Sequence, residues 1–312
     1  MRFAIYGTGG VGGYFGGRLA ESGEDVTFIA RGEHLSTIQR DGLRVKSING
    51  DFVISPAQAT DDPLSVGEVD CVIVAVKAWQ VKDAAEEMRP MIGPETFVVP
   101  LENGVEAPQH LAEVLGRAPV LGGLCGILAY RVAPGVIHHA GVDPFVRFGE
   151  LDNQPSERTQ RLKATFDRAQ GVHAEIPDDI NVAIWSKFLF ICAMSGVGAV
   201  TRAPIGICRS LPESREMLEQ VMQEICQAGR ATGVALPENA IERAMTFIDS
   251  LPETSTASMH RDIIEGFPSE LDSQNGAVVR LGEAAGVATP VNATIHAALL
   301  PQELRARRQL NF

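Results

Sequence analysis

The sequence predicts an α/β domain built on a parallel sheet, followed by a second domain made entirely of helices. Two observations support this prediction. Short apolar runs alternate with amphipathic helical patterns in the first half of the chain, and from about residue 177 onward nearly every pattern is helical. A chain of 312 residues has the length expected of about two domains. We therefore predict domains of residues 1–176 and 177–312.

The apolar runs of the first half are predicted to be buried strands, at residues 3–6, 26–30, 71–76 and 97–100. Helical patterns separate them, at residues 11–22, 34–41 and 81–91. Strands that are apolar on both faces and alternate with helices indicate a parallel sheet covered on both sides. Strand patterns then follow one another, at 120–130, 136–139 and 145–148, before a helix at 157–170. This change predicts a mixed extension at the edge of the sheet.

The second half is predicted to consist of helices, at residues 178–200, 214–232, 238–250, 269–285 and 292–300. Asp178 is placed to cap the first of them, and Gly233 and Gly286 lie where carboxy-terminal caps are expected. Residues 182–200 are long and apolar enough to resemble a membrane span, with Lys187 as their one charge. Their Gly and Ser content and the polar interruption at 186–187 favour a buried core helix instead.

The charge and the cysteines limit the function classes. A net charge of −12 argues against general binding of nucleic acid, because no basic surplus is available to neutralise phosphates. The 5 cysteines are scattered and lack metal-ligand spacing, so we expect reduced thiols, no structural metal and a cytoplasmic protein. The amino terminus opens directly into a strand pattern, and we expect neither a secretory signal nor a membrane partner.

A glycine-rich loop lies between the first strand and the first helix and fits the pattern G-x-G-x-x-G. The first glycine makes a tight turn, the second lets the backbone approach a pyrophosphate, and the third allows the helix to pack closely on the strand. The helix amino terminus supplies N–H donors and a partial positive charge. The loop therefore predicts a Rossmann-like dinucleotide-binding domain. Its residues are Gly7, Thr8, Gly9, Gly10, Val11 and Gly12.

The residue at the end of the second strand indicates which dinucleotide binds. An acidic residue is expected there when the ribose carries a free 2′-hydroxyl. This chain has Arg31 instead, and an arginine can pair with a 2′-phosphate. The alternative is a surface arginine that starts the next helix. We expect NADP(H) as the cofactor.

Later motifs, in order along nearly the whole chain, resemble those of the ketopantoate reductase family. A V-K-A-W-Q segment follows the third strand, and an Asn-Gly pair follows the next. A W-x-K segment opens the long helix, and Ser-Met and S-E-L-D segments follow, the latter resembling the family's T-E-I-D. These segments are residues 76–80, 103–104, 185–187, 258–259 and 269–272.

The resemblance implies an activity and a set of site residues. It implies that the protein uses NADPH to reduce a 2-keto acid to a 2-hydroxy acid. The substrate that the resemblance names is 2-dehydropantoate, which is reduced to pantoate in pantothenate biosynthesis. Lys187 would be the general acid, and Ser258 would hold the substrate carboxylate. Residues near the cofactor would be Lys77, the backbone of Ala129, and Asn103, which would also bind the substrate. Glu270 would be the second catalytic residue and would touch the cofactor or Lys187.

The chemistry supports the role of Lys187 independently. Hydride delivery to a ketone carbon leaves negative charge on oxygen, so an acid must reach that oxygen. Lys187 lies in a strongly apolar stretch, where a lysine is costly unless it has a partner or a chemical role. Glu270, on another predicted helix, is the expected partner. The alternative is a structural lysine, salt-bridged at a domain seam.

The substrate-facing residues depart from the family pattern. Positions i, i+4 and i+8 share one helix face, and after Lys187 these are Ile191 and Ser195. The family pattern has Asn at both positions and at Ile205. We therefore also keep open a more apolar carbonyl substrate on the same scaffold, with Ile191 and Ser195 lining its site. A non-catalytic NADP(H) sensor and a homodimer through the helical domain also remain open.

Overall fold

The computed structural model describes residues 1–311, which divide into two compact units. One unit comprises Met1–Glu102 and Ala107–Ile180, and the other comprises Asn103–Glu106 and the described residues from Asn181 onward. The transition therefore lies at 180/181, where we predicted 176/177, and a short loop of the first half groups with the helices. That loop is held there because Arg280 pairs with Glu106 at 2.8 Å.

The first unit contains two sheets and the helices that cover them. Its strands are β1 (Arg2–Tyr6), β2 (Asp25–Ile29), β3 (Leu43–Ser47), β4 (Phe52–Ile54), β5 (Gln58–Thr60), β6 (Cys71–Val74), β7 (Phe97–Pro100), β8 (Leu121–Ala133), β9 (Val136–Glu150) and β10 (His173–Glu175). Its helices are α1 (Gly10–Glu21), α2 (Gly32–Asp41), α3 (Val81–Glu87), α4 (Ala107–Leu115) and α5 (Glu157–Phe166).

The first sheet is parallel, with the strand order β5-β2-β1-β6-β7. Its central strand is buried on both faces, as the continuous apolar pattern predicts. Phe3 and Ile5 pack into the core cluster that contains α1, while Ala4 and Tyr6 pack into the cluster that contains α3. Helices therefore cover both sides, and the carboxyl ends of β1, β2 and β6 lie at one edge of the sheet.

The strands after residue 120 form a second, mixed sheet together with β3 and β4, and a parallel bridge between Val98 and Val120 links it to the first sheet. Its order is β10-β9-β3-β4, with β8 antiparallel to β9. The two strands predicted at 136–139 and 145–148 are one continuous strand, β9. The short β3 and β4 were not predicted. Neither was α4, a helix of 9 residues in which only Leu111 is buried.

The second unit is helical. Its helices are α6 (Ile180–Thr201), α7 (Ile205–Ser210), α8 (Pro212–Ala231), α9 (Ala240–Ser250), α10 (Ser258–Glu265), α11 (Ala277–Ala285) and α12 (Pro290–Ala306). The helix predicted at 269–285 begins instead with a π-helical segment, Asp272–Gly276. Helices α7 and α10 were not predicted, because each is less than three turns long.

Helix α6 is the core helix of this unit. It is the one helix of the described chain long and apolar enough to cross a membrane by length and composition, and 67% of its most apolar window is buried inside the protein. Phe188, Leu189 and Cys192 pack with residues of α8, α9 and α12. The apolar character of α6 is therefore used in packing.

Candidate cofactor and substrate sites

The glycine-rich loop adopts the backbone that its sequence predicts. Gly7 has φ +99°, in the left-handed region that favours glycine. A Cβ on Gly12 would lie 2.1 Å from the carbonyl oxygen of Gly7, so the third glycine allows α1 to start close to the turn. A Cβ on Gly10 would lie 2.2 Å from the carbonyl oxygen of Ala129, which places that backbone directly against the loop.

Gly9 is the exception in this packed loop. No atom lies within 4 Å of the position that its Cβ would occupy. Gly9 is also the N-cap of α1, whose first-turn N–H groups have no acceptor within the helix. Open space beside unpaired backbone donors at a helix amino terminus is the arrangement that holds a phosphate. The loop therefore fits the pyrophosphate of a dinucleotide.

His34 supports the same loop and was missed in the sequence. Its Nε2 donates to the carbonyl oxygen of Thr8 at 2.7 Å, and its Nδ1 accepts from the backbone N–H of Gly135 at 2.8 Å. The side chain is buried, and burial lowers the pKa of His34 below its usual value, so it is neutral near pH 7. The sequence signal was weak: a histidine at the start of α2, three residues after Arg31.

Arg31 follows β2 and has partners from other elements. Its Nη2 donates to the Glu87 carboxylate at 2.5 Å, and the Tyr6 hydroxyl donates to the same oxygen. The hydrogen bond from Tyr6 holds the pKa of Glu87 below its usual range. Burial, and then the Glu87 carboxylate, raise the pKa of Tyr6. Tyr6 is therefore neutral and Glu87 ionised near pH 7. Neither role was predicted from the sequence. Tyr6 is simply the last residue of an apolar strand, and no motif marks Glu87 at the end of α3.

Lys77 lies after β6, at the carboxyl edge of the same sheet. Its backbone N–H donates to the Gln80 side chain at 3.2 Å, and its Nζ lies 5.8 Å from the ring centroid of Trp79. The neighbouring backbone N–H of Val76 donates to Glu102 at 3.1 Å. Lys77 is half-buried. The first unit therefore presents the glycine loop, Arg31 and Lys77 after three adjacent strands.

Lys187 lies in the first half of α6 and is half-buried. Within residues 1–311, its ammonium has no hydrogen-bond or ion-pair partner, so the pair expected with Glu270 is not formed in this structure. Ile191, one turn later, is half-buried against the helical core. Ile205 is buried at the start of α7.

Ser195 is fully buried, and its Oγ has no hydrogen-bond partner among the described residues. The reason lies three residues further along the same helix face. A Cβ on Gly198 would lie 2.8 Å from Nδ1 of His260, so α10 covers this part of α6. The structure therefore leaves Lys187 and Ile191 partly accessible and encloses Ser195.

The remaining predicted residues of the helical unit lie on two segments. Ser258 is the first residue of α10 and is half-buried. Glu270 is 4% exposed, beside Ser269, whose backbone N–H and hydroxyl both donate to Glu303. The loop of Asn103 approaches the following turn, because a Cβ on Gly104 would lie 3.0 Å from the Ser273 carbonyl oxygen. The structure thus brings the Asn103 loop near the Glu270 segment.

Comparison with known proteins identifies the family. Residues 3–153 match the family described as ketopantoate reductase PanE/ApbA, and residues 179–303 match its carboxy-terminal domain. The chain belongs to the ketopantoate reductase family. It is therefore an oxidoreductase of the CH–OH class whose cofactor is NADP(H), and the predicted fold class is confirmed.

Curated relatives cover almost the whole of the chain. The uncharacterized oxidoreductase YkpB of Bacillus subtilis is 33% identical over 301 residues, 96% of this chain and 98% of its own length. A 2-dehydropantoate 2-reductase of Nostoc is 28% identical over 95% of this chain and 93% of its own length. The relatives therefore include both a reductase with a named substrate and one without.

Solved structures agree with the fold. A family ketopantoate reductase from Ralstonia eutropha superimposes with a TM-score of 0.89 at 30% identity, over 98% of this chain and 100% of that chain. D-mandelate dehydrogenase, solved with NADH and anilino(oxo)acetate, gives a TM-score of 0.90 at 22% identity, over 98% of this chain and 99% of that chain. The second likeness shows a shared fold alone.

Proposed function

We propose that this protein uses NADPH to reduce a 2-keto acid to the 2-hydroxy acid, and that this keto acid is 2-dehydropantoate. The observation that supports this most is Lys187, a half-buried lysine in the most apolar helix, which has no partner within residues 1–311. A structural lysine in such a helix is expected to be paired. An unpaired ammonium is instead available to a ligand.

The cofactor residues follow from the first unit. The N–H groups at the start of α1 and the open space at Gly9 hold the pyrophosphate. Arg31 binds the 2′-phosphate, and Lys77, Asn103 and the Ala129 backbone contact the rest of the cofactor. When bound, NADPH supplies the hydride. His34 positions the loop through the Thr8 carbonyl.

Lys187 donates the proton. As the carbonyl carbon becomes tetrahedral, negative charge develops on its oxygen, and an ammonium beside that oxygen both stabilises the charge and transfers a proton. Glu270 acts on the cofactor or on Lys187 in the loaded enzyme.

The substrate end is assigned to Ser258, which binds the carboxylate, and to the α6 face after Lys187. Ile191 offers an aliphatic contact where the family pattern has an amide. Ser195 is enclosed, so its contact with a substrate would require α10 to uncover it. These features favour a second candidate: a 2-keto acid with a more apolar side chain than that of 2-dehydropantoate.

A cytoplasmic location fits the thiols. The cysteines of the described chain form no disulfide and are buried, and burial raises the pKa of the Cys71 thiol well above its usual value. Buried neutral thiols are inert to oxidation and need no disulfide-forming compartment. We propose the cytoplasm on this ground.

The test is oxidation of NADPH, followed by its absorbance, with 2-dehydropantoate and with a panel of 2-keto acids bearing larger apolar side chains. We expect turnover of at least one. Turnover restricted to the apolar acids would select the second candidate. Binding of NADPH without turnover of any acid would overturn the proposal and indicate an NADP(H) sensor.

A further inference from the structure

The Arg31 side chain is not a free cation at the end of β2. Its Nη2 lies 2.5 Å from the Glu87 carboxylate, and the Tyr6 hydroxyl donates to that same oxygen. The three groups come from β1, the loop after β2, and the last turn of α3. A carboxylate thus already contacts the guanidinium that is proposed to receive a phosphate.

The charges of this cluster nearly cancel. Because Tyr6 is neutral and Glu87 ionised, one negative charge balances the positive charge of Arg31. The pair is also open to solvent, since the side chain of Arg31 is 65% exposed and that of Glu87 is 44% exposed. A ligand can therefore reach Arg31 without disrupting the core of the unit.

We propose that Glu87 competes with the 2′-phosphate of NADP(H) for Arg31 and so lowers the preference of this protein for NADPH over NADH. The proposal rests on the proposed role of Arg31. It makes Glu87 a specificity-determining residue that acts through Arg31.

The competition between Glu87 and the phosphate is electrostatic. A free guanidinium offers a fork of donors that matches a phosphate, but one arm of this fork is already bound to Glu87. The carboxylate also repels a phosphate, which carries close to two negative charges. NADH has a hydroxyl at the same position and carries no such charge. The penalty therefore applies to NADPH and not to NADH.

The test measures the dissociation constants of NADPH and NADH for the full-length protein at low salt, for wild type and Glu87→Gln. Glutamine keeps the size of the side chain and an acceptor for Tyr6, and removes the charge. NADPH is expected to bind about five-fold tighter, the upper range for an exposed ion pair, and NADH to change by less than about two-fold.

The neighbouring Glu86 provides a matched control. It is exposed on the same helix and pairs with Arg89 at 2.5 Å, not with Arg31. Glu86→Gln removes an equal charge and is expected to leave the ratio of the two constants unchanged. In an Arg31→Gln background, the effect of Glu87→Gln on NADPH is expected to disappear.

An unchanged ratio in Glu87→Gln, or a shift toward NADH, would overturn the proposal. So would an equal tightening of NADPH in the Arg31→Gln background, because the competition would then not be for Arg31. These measurements use binding and not turnover. A protein that binds both cofactors but reduces no 2-keto acid would fail the proposed function and still decide this question.

Discussion

The carbonyl oxygen of Ala129 occupies the space that a side chain on Gly10 would need, at 2.2 Å from the ideal Cβ position. These residues are distant in sequence, and the contact packs β8 against the start of α1. Only a glycine can stand there while the hairpin strand lies so close. The conformation of the phosphate-binding loop is therefore fixed in part by a strand of the second sheet.

Two adjacent glycines are predicted to respond oppositely to the same substitution. Gly9→Ala adds a methyl group in open space, so the unfolding temperature should stay near that of wild type. The methyl group would occupy pyrophosphate space, and the dissociation constant for NADPH should rise at least about ten-fold. Cofactor titration and thermal unfolding of the same samples measure both effects.

Gly10→Ala is the comparison variant. Its methyl group would collide with the Ala129 backbone, and overpacking of this kind costs about 1–3 kcal/mol. We expect a lower unfolding temperature for Gly10→Ala alone. Normal NADPH affinity in Gly9→Ala would show that the pyrophosphate does not lie beside Gly9.

Lys187→Ala is expected to lower kcat by about 100- to 10,000-fold, the contribution typical of a general acid. The dissociation constant for NADPH should change little, because the proposed cofactor contacts lie elsewhere. Steady-state kinetics and cofactor titration separate the two. Lys163→Ala, which removes a half-buried lysine paired with Asp167, controls for loss of charge. A kcat of Lys187→Ala within a few-fold of wild type would rule out the acid role.

Ser195→Ala is expected to leave stability unchanged or to raise it. Its buried hydroxyl has no partner among the described residues, so removing it abolishes an uncompensated polar group. Ser269→Ala removes a hydroxyl, also buried, that donates to Glu303 at 2.6 Å, and should destabilise by about 1–3 kcal/mol. Chemical denaturation compares the two variants. Equal destabilisation would mean that Ser195 has a partner in solution.

His34 predicts a dependence of stability on pH. Burial lowers its pKa from the ordinary 6.5, so the unfolded chain binds a proton more readily than the folded chain does. The contribution of neutral His34 to the free energy of unfolding is complete above about pH 6.5, and it is lost as the pH falls through the lower pKa of the folded state. Unfolding temperatures measured across this range should fall on the acid side. The unfolding temperature of His34→Gln should fall less over the same pH range. That of His173→Gln, at an exposed position, should fall as much as that of wild type.

Local pattern was sufficient to predict the parallel sheet, the glycine loop and most long helices. A continuous apolar strand and a helical period are written into adjacent residues, and so is the Gly7 turn. Strand β3 depends on pairing with the distant strand β9, and β4 pairs with β3 at the edge of that sheet, so no local feature marks either. The break predicted within β9 reflects the same limit, because β8 supports the strand through its irregular middle.

The candidate site was predictable where a motif names a residue and not where tertiary contacts create a role. Arg31 follows from its position after β2, whereas Glu87 becomes relevant only because α3 ends beside it. His34 likewise acquires its role from Thr8 and Gly135, which the fold brings to its two ring nitrogens. The enclosure of Ser195 by α10 also required the structure.

The parallel pairing of β3 with β9 has a consequence for synthesis of the chain on the ribosome. Arg44 pairs with Val136, so β3 cannot complete its pairing until β9, which is translated much later, has been made. Domains generally fold amino-terminal first as they emerge, yet here the glycine loop is synthesised long before the β8–β9 hairpin that packs against it. A ribosome-bound chain that stops short of β8 and β9 should not retain nucleotide, and competence should appear abruptly once the hairpin has left the exit tunnel.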